Sequence, residues 1–203
     1  MIRGFAAFSS ARDGDLRSDA SARAVFAAST GISSDWATVS QVHGGTVVEV
    51  EGPGNAGAAD ALFTTRRDLP VAVFTADCYS VALVSGLGAG VAHGGWRGLA
   101  AGVVRNLRET MTAVGAAPTH ASIGPGIGPC CFEVGEEVRT TFGGYETLTT
   151  WGTQSVDLGR VIRDELNGLA VSEDGRCTRC EDGLFSHRGS QTTSRMAGVA
   201  WLR

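Results

Sequence analysis

A chain of 203 residues, 43% hydrophobic and 19% charged, is long enough to bury a real core and is read as one domain over residues 1–203. Its formal charge of −4 excludes a general nucleic-acid binder, because no basic excess is available to neutralise phosphates, yet it leaves room for a local basic pocket holding one small anion. No window of about 18 apolar residues can span a bilayer, and the apolar run in MIRGFAAFSSARDGD is too short for an export signal; no membrane partner is expected and the default location is cytoplasmic. Five cysteines, an odd number, favour free thiols over a disulfide framework.

In chain order, residues 1–10 read as a strand and 11–20 as a charged loop. Residues 19–30 predict a helix, capped by Asp19 or Ser18 and stopped at Gly31. Strands follow at Trp36–Val42 and Thr46–Val50, then a flexible loop, EGPGNAGAAD. Ala61–Thr64 and Val71–Thr75 are strands, and Val81–Ser85 with Ala89–His93 form a hairpin around Gly86–Gly88. Residues 99–114 give the best helix, with Leu99, Val103, Leu107, Met111 and Val114 on one face. A short strand at Ala121–Ile123 leads into GPGIGP. Helices are predicted over Glu133–Phe142 and Asp157–Leu169, and a last strand over Ala197–Leu202. Strands and helices interleave without strict alternation, which makes this a mixed-sheet α/β chain.

The residues that could carry chemistry stand out against that pattern. His43 in TVSQVHGGTV, Cys78 in VAVFTADCYS and His93 in GVAHGGWRG each close a short apolar run. Separations of 35 and 15 residues exclude one helix face and suit side chains gathered at strand ends of one sheet. Two imidazoles and a thiolate make a good three-ligand set for Zn²⁺, with a fourth position left for water or substrate. Taken singly, each residue reads more readily as structural, and a free cysteine is usually a buried one. Gly pairs follow both histidines, while Gln41 and Asp77 lie close enough to orient a ligand.

Other features are weaker. Arg97, at the start of the best helix, offers a charged fork to phosphate or carboxylate. GPGIGPCCFE could cradle an anion but matches no nucleotide motif. Cys130 and Cys131, being adjacent, are expected to point apart, with neither a convincing ligand. Cys177-x-x-Cys180 lacks two further ligands at knuckle spacing, His187 being the only nearby candidate, so the pair reads as structural thiols near the site. His120 is expected to face solvent.

QVHGGTV, ADALFT, TADCYSVAL, VAHGGWRGLAAGVV, IGPGIGPCCFEVGEEV, CTRC…FSHR and RMAGVAWL, in that order, resemble the laccase-domain family, whose members are known as polyphenol oxidases and as purine nucleoside phosphorylases. The resemblance implies mixed sheets in a four-layer α/β/β/α arrangement and a metal site of His43, Cys78 and His93. It implies a zinc-dependent enzyme that phosphorolyses adenosine, inosine and methylthioadenosine to free base and (deoxy)ribose 1-phosphate, with adenosine deaminase activity. Its partners would be a small nucleoside and phosphate, in a monomer or homodimer. Within that reading the catalytic group is His43, Cys78, His93, Asp77 and Arg97. Gln41, Asp60, Arg188 and Arg195 lie on the substrate side, with Asp60 or Asp77 as proton donor or as support for a ligand. Departures from the family pattern fall at Tyr79-Ser80, Ser186-His187-Arg188 and Ser194, and in a short segment FSSARDGDLRSD.

Two alternatives use the same residues. A single Cu²⁺ in the pocket would give a phenol oxidase side activity, though four histidines without a His-x-His pair cannot build a multicopper centre. A Cys–His hydrolase acting on peptidoglycan precursors would use Cys78 as nucleophile and His93 as base.

Overall fold

Two mixed sheets lie face to face, with helices on their outer sides. The structure, a computed structural model, describes residues 4–203. The first sheet runs β1 (Gly4–Phe8), β13 (Met196–Leu202), β6 (Val71–Thr75), β2 (Ala37–Ser40) and β4 (Gly54–Ala58). Its β1–β13–β6 part is antiparallel and its β6–β2–β4 part parallel. The second sheet runs β12 (Ala170–Glu173), β9 (His120–Ile123), β7 (Tyr79–Val84), β8 (Ala89–Gly94), β5 (Ala61–Thr64) and β3 (Val47–Glu49). It has a parallel pair at each edge and antiparallel pairing between. A separate ribbon pairs β10 (Glu146–Leu148) with β11 (Gln154–Val156).

Three apolar layers hold these elements together. Between the sheets, Val73, Ala200 and Leu202 meet Leu62, Ala82 and Val91. Outside the first sheet, Phe26 of α1 (Ala20–Thr30) joins Trp36, Phe74 and Trp201. Outside the second, Leu107 and Met111 of α3 (Val103–Ala113) and Ile162 of α5 (Leu158–Glu165) cover Phe63, Val81, Leu83 and Ile123. The strand period of two explains the split. In β7, Val81 and Leu83 face the helices while Ala82 and Val84 face the other sheet. Both faces are buried, so the central strands are continuous apolar runs. The result is the expected α/β/β/α stack.

Several boundaries differ from expectation. The helix over 99–114 is two, α2 (Trp96–Ala100) and α3, because Gly102 takes the left-handed conformation (φ 72°) and turns the chain between them. Val114 lies past the end of α3 and is exposed. The loop 51–60 contains β4, whose small, exposed residues pair with β2 through backbone and through a hydrogen bond from the Asn55 amide to the Ser40 hydroxyl at 3.1 Å. The helix over 133–142 shortens to α4 (Glu136–Thr141), and α5 stops at Glu165 with Asp157 capping it by accepting the Arg160 N–H at 2.9 Å. The first hairpin strand begins two residues earlier, at Tyr79. β10, β11 and β12 have no periodic apolar signal because most of their side chains are exposed. Of the strand over 1–10, residues 1–3 lie outside the described residues.

The sheets pack tightly together at Gly198 of β13. A Cβ there would collide with the Ser80 side chain and the Phe8 ring. Gly198→Ala is expected to lower stability by roughly 1–3 kcal/mol through overpacking. Gly52→Ala, where a Cβ meets open space, is the control and should leave the urea midpoint in place.

Candidate metal centre and its cleft

The chain crosses from the first sheet to the second three times through short corners; two of them carry a predicted ligand, and the third, between β4 and β5, carries Asp60. Between β2 and β3 the ligand is His43; between β6 and β7 it is Cys78. His93 sits near the end of β8, paired with Ser80 on β7. The expected convergence at strand ends of one sheet is thus corrected: two of the three residues sit on passages between sheets. One ligand atom from each of His43, Cys78 and His93 lies within 4.8 Å of the others. The two imidazole centroids are 4.8 Å apart at 69°.

Asp60 organises this cluster. It lies at the entry to β5, fully buried, and does not line the cleft as expected of a substrate-side residue. Its carboxylate accepts the backbone N–H groups of Val42 (3.1 Å), His43 (2.9 Å) and Gly44 (2.6 Å). His43 has φ 61°, a left-handed conformation that is strained for a non-glycine residue and turns successive N–H groups toward one anion. The same carboxylate takes the His93 Nδ1 proton at 2.8 Å, while the Asp60 carbonyl accepts the His93 N–H at 2.7 Å. The tautomer follows: Nδ1 carries hydrogen and Nε2 is left to face the cluster. Burial opposes the Asp60 charge, but the bonds from His93, Gly44 and His43 outweigh it and hold the carboxyl below its usual range.

The thiol responds to the same surroundings. Burial raises Cys78, yet hydrogen bonds from His43 and His93 bring it down to about 6. Burial likewise works against His93⁺, but Asp60 and then Cys78 raise it to about 9. An imidazolium–thiolate pair is therefore favoured when no cation is bound, and a cation can replace its proton. Gly95 is needed here for room, since a Cβ would stand 2.9 Å from the Cys78 sulfur and 3.1 Å from the His43 ring.

Asp77 also takes positive φ (89°) at its corner. Its Oδ1 accepts Thr178 and Ser186 hydroxyls at 2.7 Å each, and Oδ2 accepts the Arg188 N–H at 2.6 Å. The carboxylate, expected among the catalytic groups, anchors the loop that carries Arg188 into α6 (His187–Ser190). Gln41 is clamped to β6, its amide giving to the Phe74 carbonyl (2.9 Å) and receiving the Phe74 N–H (2.8 Å).

The cluster lines a cleft of about 720 Å³ together with Arg97, Arg188 and Arg195. Arg97 is exposed and stacks over Trp96 at 4.1 Å. Arg188 donates to the Glu133 carbonyl at 2.9 Å, and Arg195 to the Thr192 and Ser194 carbonyls at 2.9 Å each. Burial, then neighbouring Arg17, lowers Arg195. Arg17 and Arg23 complete the basic lining and were not expected. They come from the charged loop and α1, and nothing near them in sequence links them to the distant motifs. Phe74, Phe132, Ile127 and Leu158 give the cleft its apolar part.

Four cysteines gather elsewhere. Cys130, Cys131, Cys177 and Cys180 bring their sulfurs within 4.8 Å of one another. The adjacent pair does not point apart, and the partners of Cys177-x-x-Cys180 are these two cysteines rather than His187, which lines the cleft. His120 is exposed, as expected.

Fold and site together define an α/β/β/α protein with a two-histidine, one-cysteine pocket suited to one metal ion, opening into an arginine-lined cleft. The family described as multi-copper polyphenol oxidoreductase laccase matches residues 8–203, and the chain belongs to that family. It is 41% identical over 180 residues to a Streptomyces griseus protein named purine nucleoside phosphorylase ORF3, covering 81% of this chain and 73% of that one. A Deinococcus radiodurans protein named purine nucleoside phosphorylase is 36% identical over 203 residues, covering 94% and 80%. The crystal structure of YlmD from Geobacillus stearothermophilus superposes with a TM-score of 0.81 at 27% identity, over 93% of this chain and 82% of that one.

Removing the Asp60 carboxylate leaves buried donors without a partner. Asp60→Ala is expected to cost roughly 3–5 kcal/mol in urea unfolding. Asp60→Asn keeps one acceptor and should retain the fold while weakening zinc binding by about 10- to 100-fold, measured by competition with a chromogenic chelator.

Proposed function

We propose that this chain is a zinc-dependent purine nucleoside enzyme, phosphorolysing adenosine, inosine and methylthioadenosine and deaminating adenosine. The observation that supports it most is the His43–Cys78–His93 cluster in the wall of a cleft of nucleoside size lined with arginines. The names carried by relatives agree with its phosphorylase part. The three residues fit a zinc ion chemically: His93 is held in the tautomer that leaves Nε2 free, Cys78 is disposed to ionise, and three protein ligands leave one position open. Bound there, zinc would act as a Lewis acid and lower the pKa of a coordinated water.

The chain's own residues supply the remainder. Phosphorolysis breaks the ribosidic bond with oxocarbenium character, so phosphate must be held beneath the sugar while the purine leaves. Arg97, Arg188 and Arg195, with Arg17 beside them, hold that phosphate. Phe74 and Phe132 enclose the apolar faces of base and sugar and exclude water. Asp60 and Asp77 are positioning residues, one behind His93 and one behind the Arg188 loop. Both present their oxygens as acceptors of several hydrogen bonds, which suits positioning rather than proton donation. In deamination the same cluster would meet purine C6, where water replaces the amino group, which leaves as ammonia.

A second reading is favoured by one observation. The Cys78–His93–Asp60 chain of hydrogen bonds has the layout of a nucleophile, a base and its orienter. A Cys–His hydrolase would work without metal. A single-copper oxidase is served by the same three ligands and differs in its electron acceptor, which an oxygen-uptake assay reports.

Activity decides between these. Turnover of inosine and adenosine should require phosphate for release of free base and should disappear with chelator. His43→Ala is expected to lower kcat/KM by more than about 100-fold. Arg97→Ala should raise KM for phosphate by roughly 10-fold or more, the value of a charged hydrogen bond, with kcat less affected. Full turnover in metal-stripped protein would transfer the case to the hydrolase. A separate measurement tests the cluster's electrostatics. In chelated protein, alkylation of Cys78, followed by peptide mass spectrometry, should have its midpoint near pH 6 instead of the usual ~8.5, because the thiolate reacts and is already formed there. His93→Ala should move the midpoint upward.

A further inference from the structure

The second cysteine group lies outside the cleft's chemistry and has the construction of a binding site. Cys131 Sγ stands 3.0 Å from Cys180 Sγ, and Cys130 Sγ stands 3.5 Å from the same atom. All four sulfurs fall within 4.8 Å, and all four cysteines are free thiols. A tetrahedral zinc with Zn–S bonds of ~2.3 Å holds its sulfurs about 3.8 Å apart, inside the observed range.

Two tight turns present these sulfurs to each other. In the first, the Cys131 and Phe132 N–H groups donate to the Gly128 carbonyl at 3.0 and 3.1 Å. In the second, the Cys180 and Glu181 N–H groups donate to the Cys177 carbonyl at 3.2 and 3.0 Å. The Cys177 sulfur accepts the Gly128 N–H at 3.2 Å, with the Arg179 and Cys180 amides also turned to it. Amides aimed at sulfur favour the thiolate that a metal requires. Burial and the neighbouring sulfurs, by contrast, hold the Cys130 and Cys131 thiols well above their usual range, so a cation is what lets the set ionise together.

We propose that Cys130, Cys131, Cys177 and Cys180 form a second metal site that binds a soft divalent cation, zinc foremost, with all four positions filled by protein sulfur. Binding forms four metal–sulfur bonds and releases the thiol protons to solvent. No position is left for water, so the role is structural. The site clamps the loop after β9 to the loop before α6. These loops already touch through the Thr178 N–H and the Gly126 carbonyl at 3.0 Å. The clamped loop supplies Thr178, Ser186 and the Arg188 amide to Asp77, next to Cys78. The ion would thereby fix one wall of the cleft without touching substrate.

The test is a metal count on the full chain, expressed with added zinc and purified in reductant. Wild-type protein should hold two zinc ions per chain. His43→Ala/Cys78→Ser should hold one, and Cys177→Ser/Cys180→Ser should lose the other. Because the last variant risks misfolding, cobalt is also loaded into His43→Ala/Cys78→Ser, where the four cysteines are intact. The expected spectrum has the intense visible bands and sulfur-to-cobalt charge transfer of a tetrahedral tetrathiolate. A chain with the cleft ligands removed that binds neither metal overturns the proposal, as does an intact mass short of the hydrogens lost to disulfides under the same reductant. One zinc that survives loss of His43 and Cys78 but not of Cys177 and Cys180 would uphold this site even if the cleft held no metal.

Discussion

A single buried carboxylate sets the geometry on which the site depends. Asp60 has no exposed surface, yet it carries charge, and that charge is stabilised by three backbone amides and one imidazole. The strained left-handed backbone at His43 costs on the order of 1–3 kcal/mol. A hydrogen bond to a charged group contributes roughly 1.5–3 kcal/mol. Three amides on one carboxylate exceed the strain, so the corner at residues 42–44 stays folded around Asp60. That corner fixes where His43 can reach. The remaining bond fixes which nitrogen of His93 faces Cys78. One residue therefore controls two of the three ligand positions and, through them, the acidity of the third.

The fold makes this arrangement possible by sending the chain from one sheet to the other close to β8. Each corner leaves an irregular turn at the seam of the sandwich, where backbone amides are free to bind an anion or a carboxylate. Asp77 repeats at its corner what Asp60 does at the other: positive φ nearby, and a carboxylate gathering donors from distant segments. Above the seam, arginines from α1, the α2 start and the α6 loop face the cleft. A chain with net charge −4 thus presents a positive local field, and it is the local field that selects a ligand.

The cluster was legible because each member ends an apolar run and glycine pairs follow both histidines, a pattern that survives without three-dimensional knowledge. The mixed α/β pattern was legible for a related reason, since β6, β7 and β8 are continuous apolar runs and α3 repeats its apolar face with helical period; the four layers were implied by the family resemblance. Asp60 was visible as a candidate with its role left open between the substrate side and support for a ligand, because nothing in ADALF tells whether its carboxylate faces substrate or backbone. The adjacent cysteines misled for a geometric reason. Extended neighbours point apart, but Cys130 and Cys131 lie in a tight turn closed on Gly128, which brings both sulfurs to one side. Arg17 and Arg23 gave no signal, since their role comes entirely from how α1 is laid against the first sheet. Gly102 lies inside the periodic stretch, and a lone glycine there is compatible with either a continuous helix or a break.

The central claim is that Asp60 places His43, Cys78 and His93 around one ion. Anomalous diffraction at the zinc absorption edge, from crystals of this protein grown with zinc, tests it directly. The account predicts a peak bonded to the Cys78 sulfur, to His93 Nε2 and to one nitrogen of His43, with His93 Nδ1 still on Asp60. A zinc-grown crystal with no anomalous density between these three side chains, or with His93 turned so that Nδ1 leaves Asp60, would contradict it.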